Sequence, residues 1–544
     1  MSEVKRVFKV NGKPFFPIGA EGVFSGGYTV KQGEEEFPFK SLKAMHGNSI
    51  AIPVNWDQIE PVEGKFDFTS VDSLIANARK YDLRLILLWF ATWKNAAMEF
   101  APSWVKTNPK RFKRVIDASG DELWSLSAHC KANLDADKKA FVALCKYLKI
   151  KDSTEHTVIA IQIENEPGIV GSDRDYSPEG DAAFNRPVPS MLIAAMKKSG
   201  EGKLFDLWYN AGSKTTGTWA EVFGWVADAG HLMYTWNVAR YIDSVSEAGK
   251  ATYDIPTFIN LWLHPKWWTI HEMGQFYAPD PVEREMHMDL YRWAAPHVDI
   301  IAPDNYVNDS RGYEEMCAVH TRHSNPLFMV ETDGNEHMFR AIADYNCIGT
   351  HFCGIERVVD KDGVVLPGDQ ALADNIRCVA AVIPLLLKYQ GTGMIHAVIE
   401  ETGADSQWIG NLDGYLGVVE FGQGSPGYIP TDYRHKKSIE RHPFNPASLS
   451  RGLVIQAGKH EFYLVGVNWR IYLRPKLAPD KKRTSVTLRE LQLDSKHAHY
   501  VSVDEGYFDE QGKFVTTLRR NGSTINHGVW VEADIGVVRV IMCE

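Results

Sequence analysis

Between residues 14 and 390, short apolar runs alternate with segments of helical period, and this alternation limits the fold more than any other feature. The runs cover residues 15–19, 49–54, 83–90, 158–163, 257–262, 299–302, 327–330 and 348–354. Most are near-continuous rather than alternately polar, the pattern of strands covered by helices on both faces. The segments between them carry helical spacing. Residues 71–81 are one example; Ala140, Leu144, Tyr147 and Leu148, following Asp137, are another. Eight such units in series predict a (β/α)8 barrel rather than an open doubly wound sheet, closed by a helix over residues 372–388. No apolar run approaches the roughly 18 residues that a membrane span requires.

After Gly391 the texture changes to Gly, Pro and β-formers, with period-two runs such as residues 460–467 and no long helical period. The fold class expected is therefore α/β: a (β/α)8 TIM barrel over residues 1–390, with an insertion near 172–250, followed by an antiparallel β-sandwich over 391–544. The loop 428–445 is the weakest-structured link. The balance of 59 basic against 69 acidic residues, without a basic tract, argues against nucleic acid and anionic membrane surfaces as partners. Seven cysteines without a CxxC pair read as reduced thiols. No apolar leader follows Met1, so a cytoplasmic location is expected if Met1 is the natural start, and a periplasmic or secreted one otherwise.

The sharpest local feature is Gln162-Ile163-Glu164-Asn165-Glu166-Pro167-Gly168, ending the fourth strand. Catalytic groups of a barrel sit at such strand ends. A strand that ends in a polar turn explains one acidic residue there, but three polar residues in succession are harder to explain in that way. In a regular strand Glu164 and Glu166 share a face and Asn165 takes the other. Where the strand gives way to Pro167-Gly168, that alternation can fail and turn Asn165 and Glu166 together to the barrel mouth. Glu331 ends the seventh run, 165 residues beyond Glu166. Two carboxylates facing across a barrel mouth are what glycosidic cleavage needs. One protonates the leaving oxygen, and the other attacks the anomeric carbon or activates water to do so.

With these residues in place, the chain resembles the clan-A glycoside hydrolases. More narrowly, Ile163-Glu164-Asn165-Glu166 with Gly168, and the segment Asn55-Trp56 to Phe68 with Glu60-Pro61 and Gly64, resemble family 35 β-galactosidases. The tail, with Phe444-Asn445-Pro446-Ala447 and Tyr463-Leu464-Val465-Gly466, is similar to the C-terminal domain of a bacterial subgroup that includes enzymes acting on plant-polysaccharide galactosides. The resemblance implies Glu166 as acid/base, Glu331 as nucleophile and Asn165 as a ligand of the sugar 2-hydroxyl. It also places Tyr306 near the nucleophile or the sugar. Glu21, after the first strand, could grip a hydroxyl or form a buried salt bridge. Trp56, Trp89 and Trp93 lie near strand ends, where an indole can stack on a pyranose; Trp56 and Trp93 are taken as substrate-binding. Three features depart from the family pattern. Pro167 replaces an aromatic, the gap between the two glutamates is long, and Ala91-Thr92-Trp93-Lys94-Asn95 replaces a Cys-Ala-Glu-Trp type of segment.

Three other motifs are set aside. Gly422-Gln423-Gly424-Ser425-Pro426-Gly427 spells a dinucleotide fingerprint, but Pro426 and Pro430 forbid the helix that must open there. Glu400-Glu401 follow the eighth unit, too late for a barrel strand end. Nineteen histidines include no HExxH pair, and His264 and His271 fall in a Trp-rich loop, so neither a metal nor a cofactor is expected. The expected function is a retaining exo-glycosidase, foremost a β-galactosidase that releases terminal galactose by double displacement. A β-glucosidase or a transglycosylase of the same fold, and a non-catalytic carbohydrate-binding protein, are the alternatives. The partner is a carbohydrate, a β-galactoside or related oligosaccharide, and a homo-oligomer is compatible with the sequence. A retaining mechanism predicts carboxyl groups of Glu166 and Glu331 about 5 to 5.5 Å apart in a crystal structure, whereas roughly 8 Å would mean inversion.

Overall fold

Burial on both faces is what the eight apolar runs require, and a closed parallel sheet supplies it. The computed structural model describes residues 6–22, 36–224, 227–261, 284–401, 403–422, 449–476, 499–520, 522–525 and 528–543. Its barrel strands are β1 (Ile18–Glu21), β2 (Ser49–Asn55), β3 (Arg84–Lys94), β4 (Val158–Asn165), β5 (Thr257–Leu261), β6 (Ile300–Asn305), β7 (Glu331–Thr332) and β8 (Thr350–Cys353). They pair in parallel in that order, and β8 returns to β1 through Thr350↔Ile18 to Cys353↔Glu21. The chain before β7 closes the ring, since Met329 bridges Thr350 and accepts from the His351 amide at 2.7 Å.

Side chains divide by parity. Ile86, Leu88 and Phe90 of β3 join Ala160, Phe258, Ala302 and Phe328 inside the barrel, while Leu85, Leu87 and Trp89 face the helices. The seventh strand differs from expectation. Residues 327–330 bond sideways to residues 348–351, and the ladder to β6 forms only at Asp304↔Glu331 and Asn305↔Thr332. The expected helix over 372–388 is two helices, Gln370–Ala381 and Ile383–Tyr389; Pro384 sits at the start of the second, where it lacks the amide a continuous helix would need. Between β4 and β5 lie the short helices Pro178–Phe184, Ser190–Ser199, Lys203–Asn210 and Trp219–Phe223, before the long helix Ala227–Thr252.

Past the barrel the chain is antiparallel. The strands are β9 (Ile395–Ile399), β10 (Ser406–Ile409), β11 (Tyr415–Phe421), β12 (Arg451–Gly458), β13 (Glu461–Val467), β14 (Trp469–Pro475), β15 (Tyr500–Phe508), β16 (Phe514–Arg519), β17 (Val529–Val531) and β18 (Val537–Met542). One sheet runs β9-β12-β13-β18-β15-β16 and the other β10-β11-β14-β17. Val454 and Leu464 fill the space between the sheets with Val419 and Ile471. Their neighbours Leu453, Ile455, Tyr463 and Val465 point the other way, into the core shared with the barrel helices. The loop 428–445, the motif Phe444–Ala447, His264, His271 and residues 423–427 lie outside the described residues.

Gly19 sets the approach of β1 to β2. A Cβ there would lie 1.7 Å from the Ser49 carbonyl oxygen, so no side chain fits without moving a strand. Gly19→Ala is expected to cost about 1–3 kcal/mol, read as a lower urea midpoint at unchanged m-value.

Candidate active site

The end of β4 is where the regular strand geometry stops. Glu164 has φ +61° and Glu166 has φ +44°, both in the left-handed region that non-glycine residues seldom occupy. This double break destroys the alternation and sends three successive polar side chains to three different partners. Glu164 turns away from the mouth, and its Oε2 accepts from the amides of Trp93 at 2.7 Å and Ala91 at 3.3 Å. Asn165 Oδ1 accepts from Lys94 Nζ at 2.8 Å. Glu166 Oε2 accepts from Asn95 Nδ2 at 2.6 Å, and the Glu166 amide donates to Asn260 Oδ1 at 3.1 Å. Backbone bonds from Asn95 and Ala96 to the carbonyls of Asn165 and Glu166 tie the loop after β3 to the same turn.

Glu331 comes from the opposite side of the ring. It is half-buried, and Tyr306 donates to its Oε1 at 2.7 Å. Tyr306 follows β6, whose Asp304 is the register partner of Glu331. Asp304 is fully buried and accepts from Asn260 Nδ2 at 2.8 Å. Its carboxyl is held well above the usual carboxylate range, first by burial and then by the charges of Glu331 and Glu166. Glu21, at the end of β1, is raised likewise by burial and by Glu331, and the Lys94 ammonium opposes the shift. Cys353, ending β8, has its thiol pushed up to about 12 by burial and by Glu21 and Glu331. Burial and Glu331 also push the Tyr306 phenol up, so it stays a donor. Glu166, Glu331, Asn165, Glu21 and Tyr306 therefore meet at one end of the barrel, with Lys94 the cation acting on Glu21 there.

Two expected platforms are elsewhere. Trp93 is fully buried against Tyr241 of the long helix, on the outer side of β3. Trp56 opens the short helix after β2, packs edge-on to Trp104 and donates to Glu60 at 3.0 Å. Neither exposes an indole face, because each belongs to the layer between strands and helices. Trp89, also buried, donates to Asp137 at 2.9 Å. Glu400 accepts from the Ser450 amide, and Glu401 pairs with Arg340 and Ser310. Asp304, Asn260, Lys94 and Asn95 were not singled out from the sequence. Their signal was a polar residue directly after an apolar run: Asn260 after Thr257-Phe258-Ile259, Asp304 after Ile300-Ile301-Ala302-Pro303.

Residues 30–338, more than half of the chain, match the model of glycoside hydrolase family 42, described as beta-galactosidase. The chain belongs to that family. It is thus a clan-A glycoside hydrolase, as its motifs imply, with the matching model being that of family 42 and not family 35. Residues 372–532 match a second model, a domain of unknown function, DUF5597. The chain is 25% identical over 196 residues to the human beta-galactosidase-1-like protein 3, which covers 34% of this chain and 28% of that relative. Among solved structures it is similar to the catalytic domain of a beta-amylase from Paenibacillus polymyxa, with TM-score 0.44, 13% identity and coverage of 64% and 94% of the two chains. A beta-galactosidase from the psychrophilic Marinomonas ef1 gives TM-score 0.44, 12% identity and coverage of 68% and 60%.

Beneath the site, Glu164 and Asp137 form a fully buried carboxyl pair, both raised by burial, with Asp137 also bonded to Trp89 and Thr92. The folded chain keeps a proton on this pair that the unfolded chain releases above its ordinary value of 4.5. Stability from that proton is complete below the unfolded value and is lost as pH rises toward the folded one. Glu164→Gln cannot ionise. Its urea-derived stability is expected to fall less steeply as pH rises above the ordinary value of 4.5, by up to about 1.4 kcal/mol per pH unit. Identical slopes would mean that Glu164 is ionised in the folded protein.

Proposed function

We propose that this glycoside hydrolase is a retaining exo-acting β-galactosidase in which Glu166 is the acid/base and Glu331 the nucleophile. The observation that carries the reading is the hydrogen bond from Tyr306 to Glu331, on a carboxylate whose strand neighbour Asp304 is tied to Glu166 through Asn260. One glutamate is thus oriented by a phenol donor, and the other sits near buried carboxyls whose values rise, an asymmetry that suits the division of labour the reaction needs.

In the first step Glu166 gives its proton to the leaving glycosidic oxygen as Glu331 attacks the anomeric carbon, forming a glycosyl ester. Tyr306 occupies Oε1 of Glu331 and leaves Oε2 for the attack. In the second step Glu166, now a carboxylate, takes a proton from water, whose oxygen displaces Glu331 from the anomeric carbon. Asn165 is suited to the sugar 2-hydroxyl. Lys94 holds its Oδ1, while its buried Nδ2 meets no acceptor among the described residues and can donate. Such a contact strengthens as charge develops on the ring. Galactose rather than glucose as the sugar, and water rather than a second sugar as the acceptor, rest on the family alone. The free state of all seven cysteines suits a reducing compartment.

Three variants and one screen test this. Glu331→Gln should fold normally and lose nearly all turnover of an aryl β-galactoside; activity that survives would remove Glu331 from the role. Glu166→Gln should lose about 10²–10⁴-fold on substrates with poor leaving groups and much less on activated ones. Tyr306→Phe deletes a bond to a charged group worth about 1.5–3 kcal/mol, a fall of about 10–150-fold in kcat/KM. Aryl glycosides of galactose, glucose, fucose and glucosamine, compared by kcat/KM, would decide the sugar.

A further inference from the structure

Asp304 has no place in the two-glutamate scheme, yet it is the most enclosed carboxyl of the site. It stands between the two catalytic candidates, as the register partner of Glu331 on β7 and tied through Asn260 to the backbone of Glu166, whose charge raises its pKa. Asn260 fixes this arrangement. Its Oδ1 must accept, because it faces the Glu166 amide, so its Nδ2 must donate, and it donates to Asp304 Oδ2. Asn260, Ala302 and Asp304 share the inward face, since Asn260 pairs with Ala302 and Asp304 lies two residues further along the strand. The other oxygen of Asp304, Oδ1, is buried and meets no donor among the described residues. Two ionised carboxyls cannot satisfy one another, and a buried acceptor left without a donor is costly. One proton between them removes both penalties.

We propose that Asp304 and Glu166 hold a single proton between them, with Asn260 bonded to the Asp304 carboxyl and the Glu166 backbone, and that Asp304 is a positioning residue that keeps the acid loaded. This rests on the reading of Glu166 as acid/base. The surrounding charges agree with it. Glu331 from β7 and Glu21 from β1 repel a second negative charge, Tyr306 and the raised thiol of Cys353 add none, and Lys94 from β3, bonded to Asn165, opposes the shift of Glu21. The balance through the reaction is even. When the shared proton leaves with the glycosidic oxygen, Glu331 loses its charge to the ester bond, so the number of negative charges around Asp304 does not rise. When water attacks, its proton returns to the pair as Glu331 is released as a carboxylate.

Two measurements test the proposal, one of them independent of substrate. Infrared difference spectra of wild type against Asp304→Asn at neutral pH should show loss of a protonated-carboxyl C=O band. Glu166→Gln supplies the same test from the other partner: its amide can donate to Asp304, so the band should titrate away at lower pH than in wild type. No lost band, or a band indifferent to Glu166→Gln, overturns the proposal whatever the protein hydrolyses. The second measurement is the pH profile of kcat/KM. In Asp304→Asn the alkaline limb, which reports loss of the acid's proton, should move down by about one pH unit or more, with the largest losses on poor leaving groups. An unmoved limb with the same loss on every leaving group would make Asp304 a strut and overturn the proposal. A wild type inactive on every aryl glycoside would sink the glycosidase reading, while the infrared result still decides the proton.

Discussion

The site depends on a backbone break: two non-glycine residues, Glu164 and Glu166, held in the left-handed region within one turn. Each such residue costs of order 1–3 kcal/mol and persists only where its surroundings over-determine it. Here the surroundings are explicit. The carboxyl of Glu164 bonds two amides of β3, and the amide of Glu166 bonds Asn260. Asn95 and Ala96 donate to the carbonyls of the same turn. A regular strand would put Glu164 and Glu166 on one face; the break separates them, one to the helical layer and one to the mouth.

The same crowding that holds the turn sets its electrostatics. Glu21, Glu166, Asp304 and Glu331 come from β1, β4, β6 and β7, and the Lys94 ammonium reaches Asn165 and acts on Glu21. Like charges at short range in a buried site cannot all ionise, so protons are retained where solvent is least available. Asp304 and Glu21 are the most enclosed and their values rise, and the Tyr306 hydroxyl donates to Glu331. The buried pair Glu164–Asp137 repeats the principle one layer out, fastening β4 to the helix Lys131–Asp152.

Much of this was legible in the chain. The eight runs mark strands within a few residues, because a strand buried on both faces must be apolar throughout and no other element is so short and so apolar. The β-rich tail was legible from period two, and in the structure Leu453 and Val454 divide between the barrel core and the sandwich core. Glu166 and Glu331 stood out because a carboxylate after an apolar run has few structural reasons to be there. Asn260 and Asp304 carried the same signal at lower contrast, one polar residue after an apolar run. Trp56 and Trp93 misled, since aromatic residues near strand ends serve the helical layer as readily as a ligand. The direction of an indole after a bulge, such as the register shift between Trp89 and Lys94, depends on backbone geometry.

What the sequence determined by itself was periodicity and chemical type: the number of strands, the change from helical to antiparallel texture, and the presence of carboxylates where strands end. These are local properties of consecutive residues. The tertiary structure decided which of those groups meet. Asn260 bridges Glu166 to Asp304, 44 residues apart from it along the chain, and Tyr306 reaches Glu331 across 25. Such contacts come from strand register and ring closure, which bring neighbours in space from strands distant in sequence. Register is a sum over many pairings, so no single motif encodes it. Whether a buried carboxyl keeps its proton depends on those neighbours, and therefore on the fold.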